Sequence, residues 1–340
     1  MPMIIENRRV LVTGGAGFIG SNLTEALLAQ GNAVVCLDNF ATGKRENVEP
    51  FLSHPAFTLI EGDIRDLATC GRACVGIDYV LHQAALGSVP RSIENPLATH
   101  EANITGFVNM LVAARDAKAK RLVYASSSSV YGDSPELPKT EDRIGRPLSP
   151  YAVTKYVDEL YADVFAKTYQ IELVGLRYFN VFGRRQDPFG AYAAVIPRFA
   201  KDLIDHRRPV IFGDGTYSRD FTYIDNVIQA NQLAAVAEHP DAINTVYNIA
   251  CGERTTLTDL FIALREALAA FDPEIGRIEP DYGAPRAGDI PHSHADISKA
   301  RALLGYHPGT GAREGLRQAA GWYWEHLGNP PLREACHEPG

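Results

Sequence analysis

No stretch of this chain approaches the roughly 20 consecutive apolar residues that a bilayer-spanning helix needs, so a membrane segment is not expected. The opening MPMIIENRRVLVTGG sets acidic and polar residues where a secretory leader would carry its apolar region, which argues against export. Cysteine is scarce: there are five, Cys36, Cys70, Cys74, Cys251 and Cys336, and no Cys-x-x-Cys pair. Cys70 and Cys74 stand four apart in a helical-looking segment and read as buried thiols, so no metal is expected. A cytoplasmic chain with reduced thiols follows as the expectation. Basic charge is also short, with a formal net charge of −8, which leaves no electrostatic footprint for nucleic acid. No internal repeat is evident.

What is present is apolar content, 46% over 340 residues, enough for a packed core, and the length suits two domains or one elaborate domain. RVLVTGG is an apolar run that breaks into glycines. SNLTEALLAQ then shows helical spacing through Leu23, Ala26 and Leu27, and Gly31 is placed to stop that helix in a left-handed conformation. AVVCLDN, FTLIEGD, DYVLHQAA, RLVYASS and IELVGLRYF read as further buried strands with helical stretches between several of them. Strands of nearly continuous hydrophobicity alternating with helices predict an α/β fold, a Rossmann-type doubly wound parallel sheet covered on both faces. Past Phe179 the alternation loosens into a smaller mixed α/β region. The expected division is 1–178 for a dinucleotide domain, with segments around 220–250 returning to it, 179–327 for substrate, and a mobile Pro/Gly-rich tail over 328–340.

TGGAGFIGSN falls between the first strand and the first helix. Gly15, Gly17 and Gly20 fit G-x-G-x-x-G, and Gly14, Gly17 and Gly20 fit G-x-x-G-x-x-G. Such glycines allow a tight turn and a close backbone approach to a pyrophosphate, which the helix N-terminus then attracts. Asp38 ends the next strand, where a carboxylate accepts from an adenosine ribose and repels a 2′-phosphate, so NAD is expected over NADP. Asp63, after the third strand, is placed to meet the adenine. Further on, LSPYAVTKYVDEL offers Ser149 as a helix cap, Pro150 in the first turn, and Tyr151 and Lys155 four apart on one face. A tyrosine hydroxyl ordinarily ionises near pH ~10. A neighbouring ammonium and a cationic nicotinamide both favour the phenolate, which makes Tyr151 a competent proton acceptor.

With these motifs assembled, the chain resembles the extended short-chain dehydrogenase/reductase family, and more narrowly its bacterial UDP-N-acetylglucosamine 4-epimerases. The resemblance spans roughly Arg9 to Leu327 through TGGAGFIGSN, LDNF, GDIRD, HQAALGSVPRS, ASSSSVYGD, SPYAVTK, LRYFNVFGRRQDP, GAYAAVIP, SRDFTYI and AGDIPHSHADISKA. It implies a catalytic set of Ser127, Tyr151 and Lys155, with Tyr151 as base, Lys155 favouring its ionised form while binding the nicotinamide ribose, and Ser127 relaying or orienting the sugar O4 proton. It further implies that NAD lies along Phe18 and Ile19 after the glycines, Asn39, Thr42 and Gly43 after Asp38, Ile64 beside Asp63, then Gln83, Ala84, Ala85, Asn103 and Tyr178. Uridine diphosphate binding carries over onto Asn180, Arg219 and Arg286, with Ala194 and Val195 beside the uracil. A planar guanidinium suits a diphosphate because it makes paired, charged hydrogen bonds.

The same resemblance narrows the reaction. In nucleotide-sugar 4,6-dehydratases the serine stretch reads like Ser-Thr-Asp-Glu, and here Ser128 and Ser129 fill the two acidic positions. UDP-glucuronate decarboxylases place Glu where Ser129 stands. Neither hydroxyl can serve as the acid or base those eliminations need, which leaves oxidation and re-reduction at C4. Ser293 falls where glucose/galactose epimerases carry a bulky tyrosine, and Gly87 replaces their lysine. Ser88, Ser128 and the room left by Ser293 are therefore expected to accommodate a 2-acetamido group, giving interconversion of UDP-GlcNAc and UDP-GalNAc with weaker action on UDP-Glc and UDP-Gal. UDP-glucuronate and UDP-N-acetylhexosaminuronate 4-epimerases share parts of these motifs and stand as the alternative. The family usually forms homodimers, here through the helix around GFVNMLVAARDA and the one beginning near Tyr151, so a homodimer is expected.

Overall fold

The computed structural model of the chain describes residues 5–189, 193–285 and 290–328. Seven strands, β1 (Arg9–Thr13), β2 (Ala33–Asp38), β3 (Phe57–Glu61), β4 (Tyr79–His82), β5 (Arg121–Ser127), β6 (Glu172–Tyr178) and β7 (Thr245–Ile249), form one parallel sheet. Its order is β7-β6-β5-β4-β1-β2-β3, so the winding reverses between β1 and β4. That reversal opens a crevice beyond the carboxyl ends of the strands, the usual ligand position in such sheets.

The strands are apolar almost throughout because both faces of the sheet are covered. In β1, Val10 and Val12 enter one apolar layer with Leu23 and Leu27 of α1 (Phe18–Ala29), whereas Leu11 enters the opposite layer. The second layer is built by Cys70 and Ala73 of α2 (Leu67–Ala73), by Phe107, Met110 and Leu111 of α3 (Gly106–Asp116), and by Ala162 and Phe165 of α4 (Pro150–Tyr169). Period-two alternation therefore feeds two layers rather than one layer and solvent. Gly31, at φ +80, follows α1 as its glycine suggests. The four described cysteines are free and buried.

Beyond β6 the chain crosses into a smaller group of helices. α5 (Val195–Ile204) buries Ile196, Phe199, Ala200 and Leu203 along one stripe. It packs with α7 (Leu257–Ala269) and α8 (Ala312–Leu327), while α6 (Ile224–Val236) lies back against the sheet and leads to β7. Short paired segments complete this half: Val181–Phe182 with Thr222–Tyr223, Ser218–Arg219 with Thr255–Thr256, and Val210–Phe212 with Asp281–Gly283. They gather Asn180, Arg219 and Ser293, which are far apart in sequence, beyond the same end of the sheet. No helix is long and apolar enough to cross a membrane among the described residues.

Candidate active site

The first element of the site is the turn after β1. Gly14 sits at φ +66, and a Cβ there would lie 2.8 Å from the Ala84 amide nitrogen. A Cβ on Gly20 would lie 2.1 Å from the Gly14 carbonyl oxygen, so the first turn of α1 packs directly on the glycine turn. Beside it a cavity of about 500 Å³ is lined by Gly14, Gly17, Phe18, Ile19 and Gly20, then Asp38, Asn39 and Thr42, then Asp63 and Ile64, and finally Gln83, Ala84, Ala85 and Gly87. Four separate strand ends thus contribute to one wall, which fits a long, flat dinucleotide better than a compact ligand.

Asp38 is buried, and burial raises its pKa while two backbone amides counter that rise. Its Oδ2 accepts from the Ala16 N–H at 2.9 Å and its Oδ1 from the Phe40 N–H at 2.8 Å, which fixes the carboxylate at the end of β2. Gly43 lies over it; a Cβ there would sit 2.9 Å from Asp38 Oδ1. The cations that follow are committed elsewhere. Lys44 pairs with Asp187 at 3.2 Å, and Arg45 donates to both oxygens of Glu61 at 2.8 Å while lying over the Phe40 ring. A buried acid whose following cations, Lys44 and Arg45, are engaged elsewhere suits a ribose hydroxyl and not a 2′-phosphate. Asp63 accepts from Asn39 at 2.8 Å and from Arg65, whose hydrogen bond is the main reason its pKa falls to about 2.

Three expected cofactor residues are not on the cavity wall and are tied to groups beside it. Asn103 is buried; its Oδ1 accepts from the Leu86 N–H at 2.7 Å and its Nδ2 donates to Thr154 Oγ1 at 3.0 Å, so it ties the loop after β4 to α4. Tyr178 donates to Gln83 Oε1 at 3.1 Å and accepts from Asn231 at 2.9 Å, holding Gln83 at the cavity wall. Gly43 backs Asp38 as described. Leu86, Ala98 and Ala102 also line the cavity without having been expected there; Leu86 sits inside HQAALGSVPRS, whereas Ala98 and Ala102 belong to no motif.

The residues expected to be catalytic lie where β5 meets α4. Ser149 caps α4 by accepting from the Ala152 N–H at 3.1 Å, and Pro150 follows in the first turn. One turn on, Lys155 is buried and its Nζ donates to the Ala125 carbonyl at 2.9 Å, two residues before Ser127. β5 ends at Ser127, and the chain turns sharply through Ser128–Tyr131. Strand alternation sends Ser126 and Ser127 to opposite faces. Ser126 donates to Glu159 at 2.6 Å, and Glu159 is clamped by Arg177 through bonds of 2.9 and 2.8 Å. Ser127 Oγ instead accepts from the Ser129 N–H at 3.1 Å, which orients the hydroxyl and leaves its proton to be donated. Ser128 and Ser129 are half-buried in that turn, and Ser129 Oγ is enclosed without a hydrogen-bond partner.

The residues expected to hold the nucleotide are gathered by long-range pairing. Asn180, at φ +36, donates to the Asp220 carbonyl at 3.1 Å. Arg219 is held by the Ser218 and Pro291 carbonyls at 3.0 and 3.1 Å, and the Ser293 N–H bonds back to Ser218 O at 3.0 Å. Asp220 accepts from the amides of Cys251, Gly252 and Ala295, so one buried carboxylate stitches together the three segments around Arg219 and Ser293. Burial pushes its pKa up to about 6. Ala194 and Val195 begin α5. Ser88 sits at φ +97, and its Oγ accepts from Arg91 N at 3.3 Å as a helix cap. Arg286 lies outside the described residues.

A putative UDP-glucose 4-epimerase of Methanocaldococcus jannaschii is 37% identical over 92% of this chain and 97% of its own. The UDP-N-acetylglucosamine 4-epimerase of Methanobrevibacter ruminantium, solved with UDP-N-acetylmuramic acid, superposes with a TM-score of 0.87 at 39% identity, covering 94% of this chain and 99% of that one. The UDP-glucuronic acid 4-epimerase of Bacillus cereus, solved with UDP-glucuronic acid and NAD, gives a TM-score of 0.81 at 34% identity over 93% and 99% of the two chains. Residues 10–250 match the family model described as the NAD dependent epimerase/dehydratase family, and the chain belongs to that family.

Proposed function

We propose that this enzyme, an NAD-dependent UDP-sugar 4-epimerase, interconverts UDP-N-acetylglucosamine and UDP-N-acetylgalactosamine, acting more weakly on UDP-glucose and UDP-galactose. The observation that carries the choice of sugar is Ser293, a small half-buried residue held beside Arg219 at the nucleotide end, where a larger side chain would take up the space of a 2-acetamido group. Gly87, exposed at the cavity rim, adds room on the other side.

When bound, NAD supplies a reversible hydride acceptor and donor for sugar C4. The glycine turn and Asp38 would hold its pyrophosphate and adenosine ribose, and Lys155 its nicotinamide ribose. Tyr151 takes the O4 proton as C4 is oxidised and returns it as C4 is reduced. Ser127, with its oxygen already accepting from Ser129 N–H, donates a hydrogen bond to O4 without giving up its proton and so orients O4 toward Tyr151. Asn180 and Arg219 grip the diphosphate, so the oxidised ring can turn while the nucleotide stays fixed. Ser128 and Ser129 add no charge near C5 and C6, which supports a cycle that ends in epimerisation rather than elimination. The reading includes a homodimer. Val153, Leu160, Tyr161 and Val164 recur along one exposed face of α4 at 46, 49, 40 and 55% exposure, the spacing of a helix seam. Sedimentation of the purified protein reads this directly.

Product formation from each UDP-sugar, followed by NMR, tests the assignment. The acetylated pair is expected to show the higher kcat/KM, and a clear preference for UDP-glucose or a uronate overturns it. Ser293→Tyr is expected to lower kcat/KM about a hundredfold on the acetylated pair, on the order of 3 kcal/mol, with little change on the plain pair. Equal losses on both pairs would remove Ser293 as the gate.

A further inference from the structure

Lys155 is 3% exposed, and an ammonium so enclosed needs compensation. Its Nζ has two partners: the Ala125 carbonyl at 2.9 Å and Asp158 Oδ2 at 3.3 Å. Asp158 is 1% exposed, and its second oxygen, Oδ1, is buried with no hydrogen-bond partner. A buried carboxylate with half of its acceptors unused is costly to keep. Among the described residues its one hydrogen-bond partner is the lysine.

We propose that Asp158 is a positioning residue for Lys155: its carboxylate holds the ammonium against the end of β5 and tempers the positive charge that reaches Tyr151. The proposal rests on the roles given above to Tyr151 and Lys155. Asp158 follows Lys155 by three residues on α4 and so lies under the same face, with Tyr151 one turn to the other side. The other ionisable groups facing this pair do not substitute for it. On α4 itself, Glu159 is engaged by Arg177 of β6 and by Ser126. From β4, His82 is buried and neutral, its pKa pushed down to about 3 by burial and then by Lys155. From β5, Tyr124 is fully enclosed, and burial, with Glu159 and Asp158 adding to it, raises its pKa.

Burial also pushes Asp158 up to about 7 against the pull of Lys155. The sign of the effect follows. Below that pH the carboxyl is protonated and the full lysine charge acts on Tyr151; above it the carboxylate forms and offsets that charge. Asp158→Asn keeps the shape and removes the charge, so the Tyr151 phenolate becomes easier to form. Asp158→Ala removes both.

The experiment is a spectroscopic titration of tyrosinate on the purified protein with its bound NAD, subtracting the same titration of Tyr151→Phe in each background. Both Asp158 variants are expected to move the Tyr151 transition to lower pH by about half a unit, as fits a charge two helical turns away. Superimposed transitions in wild type and variants overturn the proposal. Variants that fail to fold overturn it too, since the carboxylate would then be a structural partner. A wild type with no Tyr151 transition below the ordinary tyrosine range sinks the base assignment itself, which is a different result from an unmoved one.

Discussion

Tyr151→Phe is expected to lower kcat by about a thousandfold while leaving the fold and nucleotide binding nearly unchanged. The substitution removes one oxygen from a half-buried ring at the start of α4, where the helix is held by the Ser149 cap and by the buried Lys155. Among the described residues no hydrogen bond of the scaffold depends on that oxygen, so the thermal midpoint should shift little. The chemical step loses its proton acceptor, and a positioned general base contributes roughly 10²–10⁴ in rate. On the proposed roles Ser127 would limit the loss by its hydrogen bond to O4, but a serine cannot hold the proton as a phenolate can. Single-turnover measurement of sugar oxidation separates this from slow product release. A fall of less than about tenfold would transfer the base role to Ser127.

The parts of this site that were legible in sequence are those in which a local rule and the global fold agree. β1, β2 and β4 read as strands because each is buried on both faces and needs no polar alternation. The Ser149-Pro150 start of α4 read as a helix cap because the side chain and the proline act within one turn. The glycines of the first turn read as a cradle for the same reason. Asn103 was different. Its carboxamide spans from Leu86 to Thr154, 17 and 51 residues away, and no local pattern announces such a brace. The Ser126–Glu159–Arg177 clamp joins three elements across the sheet and was equally silent. Ser88 reads as a polar side chain free to meet a sugar, yet its oxygen accepts a helix N–H in a backbone conformation few non-glycine residues adopt. Asp158 was in plain view in the helix motif. Only burial distinguishes it from a solvated acid at the same spacing.

The second large effect concerns the cofactor turn. Gly20→Val is expected to yield a folded protein that purifies without NAD and binds added NAD at least about thirtyfold more weakly, on the order of 2 kcal/mol. The clash is steric and does not depend on glycine's flexibility. A Cβ at Gly20 would lie 2.1 Å from the Gly14 carbonyl oxygen, 2.7 Å from its carbon and 2.8 Å from the Gly15 Cα, all backbone atoms with no rotamer to escape into. The turn must therefore move away from α1, and the amides at the start of that helix lose their aim at the pyrophosphate. The rest of the sheet need not follow, because Val10, Leu11 and Val12 are anchored by β2 and β4 on either side. Gly71 in α2 provides the contrast. Nothing lies within 4 Å of a Cβ built there, so Gly71→Ala should retain NAD and gain up to about 1 kcal/mol from helix propensity. The ratio of absorbance at the adenine and protein bands of the isolated protein, with calorimetric titration of NAD, reads both variants. Retention of NAD by Gly20→Val would mean that the pyrophosphate is held elsewhere than at this turn.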